Sequence, residues 1–153
     1  MRINCLKKGV SLLTTYVIVA CSSTSSSPAN GSFPAAPVSA FASDSGHYQV
    51  KLWTAPTQPP SRGINEVKLE VTDAMTTEAA DNLAVVVVPW MPAMGHGTSI
   101  VPTVSPQGRG IYIAQNVDFY MPSTWQLRLD FAAEAVDGSA GATDSATPTF
   151  DIP

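Results

Sequence analysis

The segment Ile64-Asn65-Glu66-Val67-Lys68-Leu69-Glu70-Val71 decides the fold. Val67, Leu69 and Val71 alternate with Glu66, Lys68 and Glu70. That period of two puts apolar groups on one face of a strand and charges on the other. Such a strand is half-buried, so a second apolar layer has to cover it. The same alternation returns on either side. Tyr48-Gln49-Val50-Lys51-Leu52-Trp53-Thr54 has apolar residues at even positions, and Trp125-Gln126-Leu127-Arg128-Leu129-Asp130-Phe131 turns its odd positions inward. Leu83 to Val88 is a continuous apolar run rich in valine, the pattern of a central strand buried on both faces, and Pro89 is expected to end it. Gly110-Ile111-Tyr112-Ile113-Ala114 and Val117-Asp118-Phe119-Tyr120 follow the Pro106-Gln107-Gly108 turn, with Asp118 as an exposed member of an alternating strand. Residues 73–81 form a polar inter-strand loop, residues 137–147 a Gly/Ser/Thr-rich loop, and residues 149–152 a last short strand. About seven short strands divided by Gly/Pro turns predict an all-β fold: a single immunoglobulin-like antiparallel β-sandwich.

The N-terminus has a different logic. Arg2, Lys7 and Lys8 precede an apolar stretch, Gly9 to Ala20. At roughly 1.5 Å per residue this stretch is too short to span a hydrocarbon core of about 30 Å, but it has the length of a secretory h-region. It ends in Ile18-Val19-Ala20-Cys21, which resembles a bacterial lipobox. The resemblance implies a signal peptide over 1–20, cut before Cys21, and a diacylglycerol on the Cys21 thiol. Two or three acyl chains anchor stably where one is marginal. The alternative is an ordinary secretory signal with a chance cysteine. Residues 21–45 are rich in Ser, Ala and Pro and read as the lipidated cysteine and a flexible tether. Residues 46–153 are the expected domain. The expected location is the bacterial cell envelope on the extracytoplasmic, periplasmic side. Ser22 rather than Asp after the cysteine leans, by the same resemblance, toward an outer membrane.

The chain has only Cys5 and Cys21. One lies in the discarded segment and the other carries lipid, so the domain has neither a disulfide nor a thiolate metal site. Removing Arg2, Lys7 and Lys8 takes the net charge from −4 to −7. An acidic domain of this kind has no electrostatic footprint for nucleic acid. Lipid, not charge, attaches it to a membrane.

One stretch departs from strand patterning: Trp90-Met91-Pro92-Ala93-Met94-Gly95-His96-Gly97. Pro92 has no amide for a ladder, and Gly95 and Gly97 permit positive φ, so a corner at one end of the sandwich is expected. There Met91, Met94 and His96 can converge. Met121-Pro122 ends a later strand and supplies a fourth donor if both strand ends share a pole. Thioether and imidazole are the donors that soft Cu(I) accepts. Trp90 and Trp125 flank the two segments, where an indole face can contact a monovalent cation. The competing reading makes the methionines gap-fillers, both tryptophans inter-sheet core and His96 a corner residue bonded to a loop carbonyl. Among the remaining groups no catalytic constellation stands out. His47 and His96 are the sole imidazoles, and there is no nucleophile elbow, His-Glu-x-x-His, P-loop or dinucleotide fingerprint. The chain reads as a non-enzyme.

The run from Ala84 to Leu129 resembles the YtkA-like/FixH-like family. The shared pattern is a hydrophobic strand, Met-Pro-x-Met-x-His-Gly, the Gly110-Ile111-Tyr112 strand start, and Phe119, Met121, Pro122 and Trp125 as Phe-x-Met-Pro-x-x-Trp. The resemblance implies a small extracytoplasmic β-sandwich, often a lipoprotein or membrane-anchored. Some members accompany copper handling, heavy-metal efflux or respiratory oxidase assembly, which implies an envelope protein partner of that kind. The family's usual Met-x-Gly-x-Trp turn is here Met121-Pro122-Ser123-Thr124-Trp125, without the glycine. Two functions follow as expectations. The first is a copper module with Met91, Met94, His96 and Met121 as ligands and Cu(I) as cofactor. The second is a structural or protein-interaction module in which the motif is a packed corner. A small-ligand pocket at the sandwich mouth is a third possibility, with no polar constellation behind it.

Overall fold

The computed structural model describes residues 33–134 and 141–153. The expected signal peptide and Cys21 lie outside the described residues. The strands are β1 (Ser39–Ala42), β2 (Tyr48–Ala55), β3 (Gly63–Asp73), β4 (Leu83–Met91), β5 (His96–Gly97), β6 (Thr103–Gly108), β7 (Ile111–Phe119), β8 (Ser123–Ala133), β9 (Thr143–Ala146) and β10 (Thr149–Ile152). One sheet runs β1-β2-β3-β7-β6 and the other β10-β8-β4-β5, with β9 beside β8. All pairs are antiparallel. Taken without β1, β5 and β9, the order is that of an immunoglobulin sandwich: β2-β3-β7-β6 stand as strands A-B-E-D and β10-β8-β4 as G-F-C. Six of these seven carry the expected segments, two of which share β7, whereas β6 occupies Thr103–Gly108, where a turn was expected at Pro106-Gln107-Gly108; β1, β5 and β9 are short additions.

The alternation read from 64–71 holds. Val67, Leu69 and Val71 are fully buried and face Leu127, Leu129, Phe131 and Trp125 of the opposite sheet within one core. Burying each such side chain contributes about 1.5–3 kcal/mol, which is what sets the register of both sheets.

Several expectations need correction. β4 is not buried on both faces: Val85, Val87 and Met91 point inward, while Val86 and Val88 are exposed. A uniform valine run hides the period that a mixed sequence would reveal. Pro89 does not end β4 either. Leu127 N–H, opposite Pro89, donates away from β4 to Pro148 O, so the pair lacks mutual hydrogen bonds and the proline nitrogen faces the open edge of the sheet.

The two expected segments at 110–114 and 117–120 form one strand. β7 carries an extra residue opposite Glu66, with Asn116 at φ 62°. This bulge switches the inward parity from Tyr112 and Ala114 to Val117 and Phe119. Asp118 is not an exposed residue: the Thr98 loop covers it, and Thr98 Oγ1 donates to Asp118 Oδ2 at 3.4 Å.

The ordered domain begins before residue 46. β1 pairs with β2, from Ser39 opposite Leu52 to Ala42 opposite Gln49. The expected 137–147 loop contains β9, whose Asp144 is buried. Both additions depend on contacts distant in sequence, which local composition does not encode.

Candidate functional site

The β4 and β5 strands form a hairpin closed by the turn at 92–95. Gly95 N–H donates to Met91 O at 3.0 Å and to Pro92 O at 3.2 Å, and Met94 N–H donates to Met91 O at 3.2 Å. Gly95 takes φ 68°, which glycine adopts without strain. Across the ladder Trp90 stands opposite Gly97 and Met91 opposite His96. Gly97 is required for a different reason. A Cβ there would lie 2.5 Å from the Pro89 carbonyl oxygen.

The four candidate donors differ in setting. Met91 is 1% exposed and belongs to the central core. Met94, on the turn, is 58% exposed. His96 is exposed at the start of β5. Met121 is half-buried against the core, just beyond β7. The β4–β5 hairpin and the β7–β8 turn meet at one pole, because the His96 ring stacks on Tyr120 at 6.5 Å between centroids and 11° between planes. Met91 and Met94 do not share a setting: one thioether points into the core and the other into solvent.

The β7–β8 turn is fixed from beneath. Trp125, fully buried, donates Nε1–H to Met121 O at 3.0 Å, and its ring meets Tyr120 edge-on at 5.4 Å and Phe119 at 5.5 Å. Arg62 Nε–H donates to Tyr120 O at 3.1 Å. No residue from 120 to 124 has positive φ, so the glycine missing from Met121-Pro122-Ser123-Thr124-Trp125 is not needed.

Trp125 is inter-sheet core, as expected, but Trp90 is not. It lies on the outer face of β4, opposite in direction to Met91, with the Arg128 guanidinium 4.1 Å from its ring centroid. That indole face already holds a cation belonging to the protein.

Sequence reading anticipated a loop carbonyl beside His96, which is that of Gly97, but missed Tyr120. His96 Nδ1 lies 2.9 Å from Gly97 O and 3.4 Å from Tyr120 Oη. Among the described residues, Nε2 has no hydrogen-bond partner. An aromatic residue directly before Met-Pro was the available signal, but which ring it meets depends on the fold. No group of three His, Cys, Asp or Glu side chains is gathered among the described residues. The donors at the pole are thioethers and one imidazole, a soft set suited to a monovalent thiophilic ion rather than to Mg²⁺ or Ca²⁺.

Two other features lie away from the pole. An apolar groove of about 360 Å³ runs on the outer side of β4 between Val86, Val88, Ile100 and Val101. It is not at the sandwich mouth, and Thr98 is its one side chain with a hydroxyl. Asp144 Oδ2 accepts from Ser43 Oγ and from His47 N at 3.1 Å. Its Oδ1 accepts from Ser45 N and Ser145 N, both at 2.8 Å. Burial alone would raise this carboxyl's pKa. The hydrogen bonds from Ser43, Ser45, His47 and Ser145 outweigh it and hold the group well below the usual carboxylate range. His47 Nδ1 lies 3.2 Å from the same carboxylate. Ser43 Oγ also accepts from Tyr48 N.

An immunoglobulin-type sandwich with a Met/His hairpin at one pole defines a small all-β module. The chain belongs to the YtkA-like family, whose sequence model matches residues 42–130. Among solved structures, a DUF4785 family protein of Legionella pneumophila is similar at 14% identity and a TM-score of 0.48. The match covers 69% of this chain and 29% of that one, so the chain spans less than a third of that protein's length. A copper-bound variant of FetP from uropathogenic Escherichia coli strain F11 is similar at 6% identity and a TM-score of 0.49, covering 76% of this chain and 90% of that one. FetP as isolated, from the same strain, gives 6% identity and 0.49, covering 75% and 93%. No curated protein matches the chain.

Proposed function

We propose that this protein is a non-enzymatic, lipid-anchored extracytoplasmic module that binds Cu(I) at the hairpin pole. The observation that carries the reading is the state of His96. Its Nδ1 is engaged by a carbonyl, its Nε2 has no partner among the described residues, and it stands beside a turn bearing Met94 and a strand end bearing Met121. Met94 and His96 are the donors an ion can reach from solvent. Met121, half-buried against the core, is the donor that meets it from the protein side, while the Met91 thioether stays in the core. A bound Cu(I) supplies no chemistry of its own here; it is cargo held without thiolate and passed on. The lipobox-like Ile18-Val19-Ala20-Cys21 supports the anchor and the envelope location, with a metal-efflux or oxidase-assembly protein as partner.

The packed-corner reading is favoured by the burial of Met91 and Trp125 and by the hydrogen bond between His96 Nδ1 and Gly97 O. If it holds, the motif stabilises the sandwich and the partner surface lies elsewhere.

Competitive Cu(I) titration decides between them, using wild type and the Met94→Ala/His96→Ala double variant. Tight one-to-one binding that the double variant loses while staying folded supports the copper reading. Well-folded wild type that does not compete for Cu(I) leaves the packed corner. Cleavage before Cys21 is tested by labelling cells with a radioactive fatty acid. Label that disappears in Cys21→Ser supports the anchor.

A further inference from the structure

We infer that Tyr120 is the positioning residue of the pole: it holds the His96 imidazole with the proton on Nδ1 and Nε2 as the outward donor atom. The inference rests on the copper reading for its purpose, but its content follows from ring geometry alone.

A carbonyl oxygen can only accept a hydrogen bond. Nδ1 at 2.9 Å from Gly97 O must therefore carry the proton, which leaves the lone pair on Nε2. A free histidine side chain favours the other neutral tautomer, so something must hold this one. β5 is two residues long and exposed at His96, and it gives the ring little to rest on. A half-turn of the ring would break the Nδ1–H bond without disturbing the backbone. Tyr120 opposes that motion. Its ring lies nearly parallel to the imidazole, 11° between planes, and its Oη, 3.4 Å from the protonated Nδ1, faces it as an acceptor. Tyr120 is itself immobilised by Trp125 edge-on at 5.4 Å and by Arg62 on its carbonyl. The buried Trp125 thus determines, through Tyr120, which nitrogen an exposed histidine presents. Metal-binding histidines in general need such a second group to fix the tautomer.

The test is long-range ¹⁵N NMR of the full metal-free chain, about two pH units above the ordinary imidazole range. Wild-type His96 should show a protonated Nδ1 and an unprotonated Nε2. Tyr120→Phe, which keeps the ring, should keep that pattern. Tyr120→Leu should move it toward a protonated Nε2 and lower Cu(I) affinity about tenfold. If Tyr120→Leu does not fold, Tyr120→Met replaces it, filling the space beside Trp125 without a ring. A wild-type His96 protonated on Nε2 overturns the inference, and so does an unchanged tautomer in the ringless variant. If the tautomer responds as expected and no protein binds Cu(I), the role of Tyr120 stands and the copper reading falls.

Discussion

Met91 and His96 stand directly opposite each other across the two-residue β4–β5 ladder, yet Met91 is sealed in the core and His96 is exposed. The hairpin is rooted at one corner and open at the other. Residues three and five apart in the motif therefore have separable roles, and substitution should separate stability from binding.

Met91→Ala empties part of a closed core and should cost about 2–5 kcal/mol. Met94→Ala, at a site 58% exposed, should change stability by no more than about 0.5 kcal/mol. Urea denaturation of both variants checks this. On the copper reading Met94→Ala also weakens Cu(I) binding, and on the corner reading it changes neither quantity.

Gly97→Ala should be worse than Gly95→Ala. At position 97 the new Cβ meets the Pro89 carbonyl at 2.5 Å, so the ladder must open and His96 must move. At position 95 the space is free and the cost is that of a left-handed residue, roughly 1–2 kcal/mol. Amide chemical shifts of Met91 and His96 should change broadly in the first variant and little in the second.

Trp90→Leu should leave Cu(I) affinity unchanged, because the indole lies on the outer face beneath Arg128. Arg128→Ala should cost about 0.5–1 kcal/mol through the lost cation–π contact. Titration and thermal melting of the two variants test this. A large loss of Cu(I) affinity on removing the indole would bring Trp90 back into the site.

Asp144 should govern acid stability. Its pKa in the folded protein is depressed, so its contribution is complete above the unfolded-state value near 4 and is lost as pH falls below it. Asp144→Ala leaves the Ser43 hydroxyl and the Ser45, His47 and Ser145 amides without their acceptor, and should cost at least about 3 kcal/mol at neutral pH. Asp144→Asn should flatten the fall in stability between pH 5 and pH 2. An equally steep fall in that variant would assign the acid sensitivity to other carboxylates.

Much of the fold was legible because burial on one face writes a period of two into the chain. Tyr48–Thr54, Val67–Val71 and Trp125–Phe131 need no partner to be recognised as half-buried strands, and their number and spacing already imply a sandwich. Where the pattern fails, the cause is specific. Four consecutive valines carry no period, so the exposure of Val86 and Val88 could not be read. The Asn116 bulge changes parity in the middle of β7, so one strand reads as two segments, and Asp118, on the outer face, is covered by the Thr98 loop, which its own strand does not encode. Asp144 looks like a loop residue until the backbone of 43–47, about a hundred residues earlier, is folded against it.

The site divides in the same way. The donor types at Met91, Met94, His96 and Met121, the absence of any cysteine after Cys21 and the turn enforced by Pro92 and Gly95 belong to the sequence by itself, because they are properties of side chains and of local backbone freedom. Which thioether is buried, which face of Trp90 is covered and which imidazole nitrogen is left open belong to the tertiary structure alone. Each depends on a contact between elements distant in the chain: Met91 with the core, Trp90 with Arg128, His96 with Tyr120. Such contacts arise only when two sheets close over a common apolar layer, and no local stretch of the chain carries them.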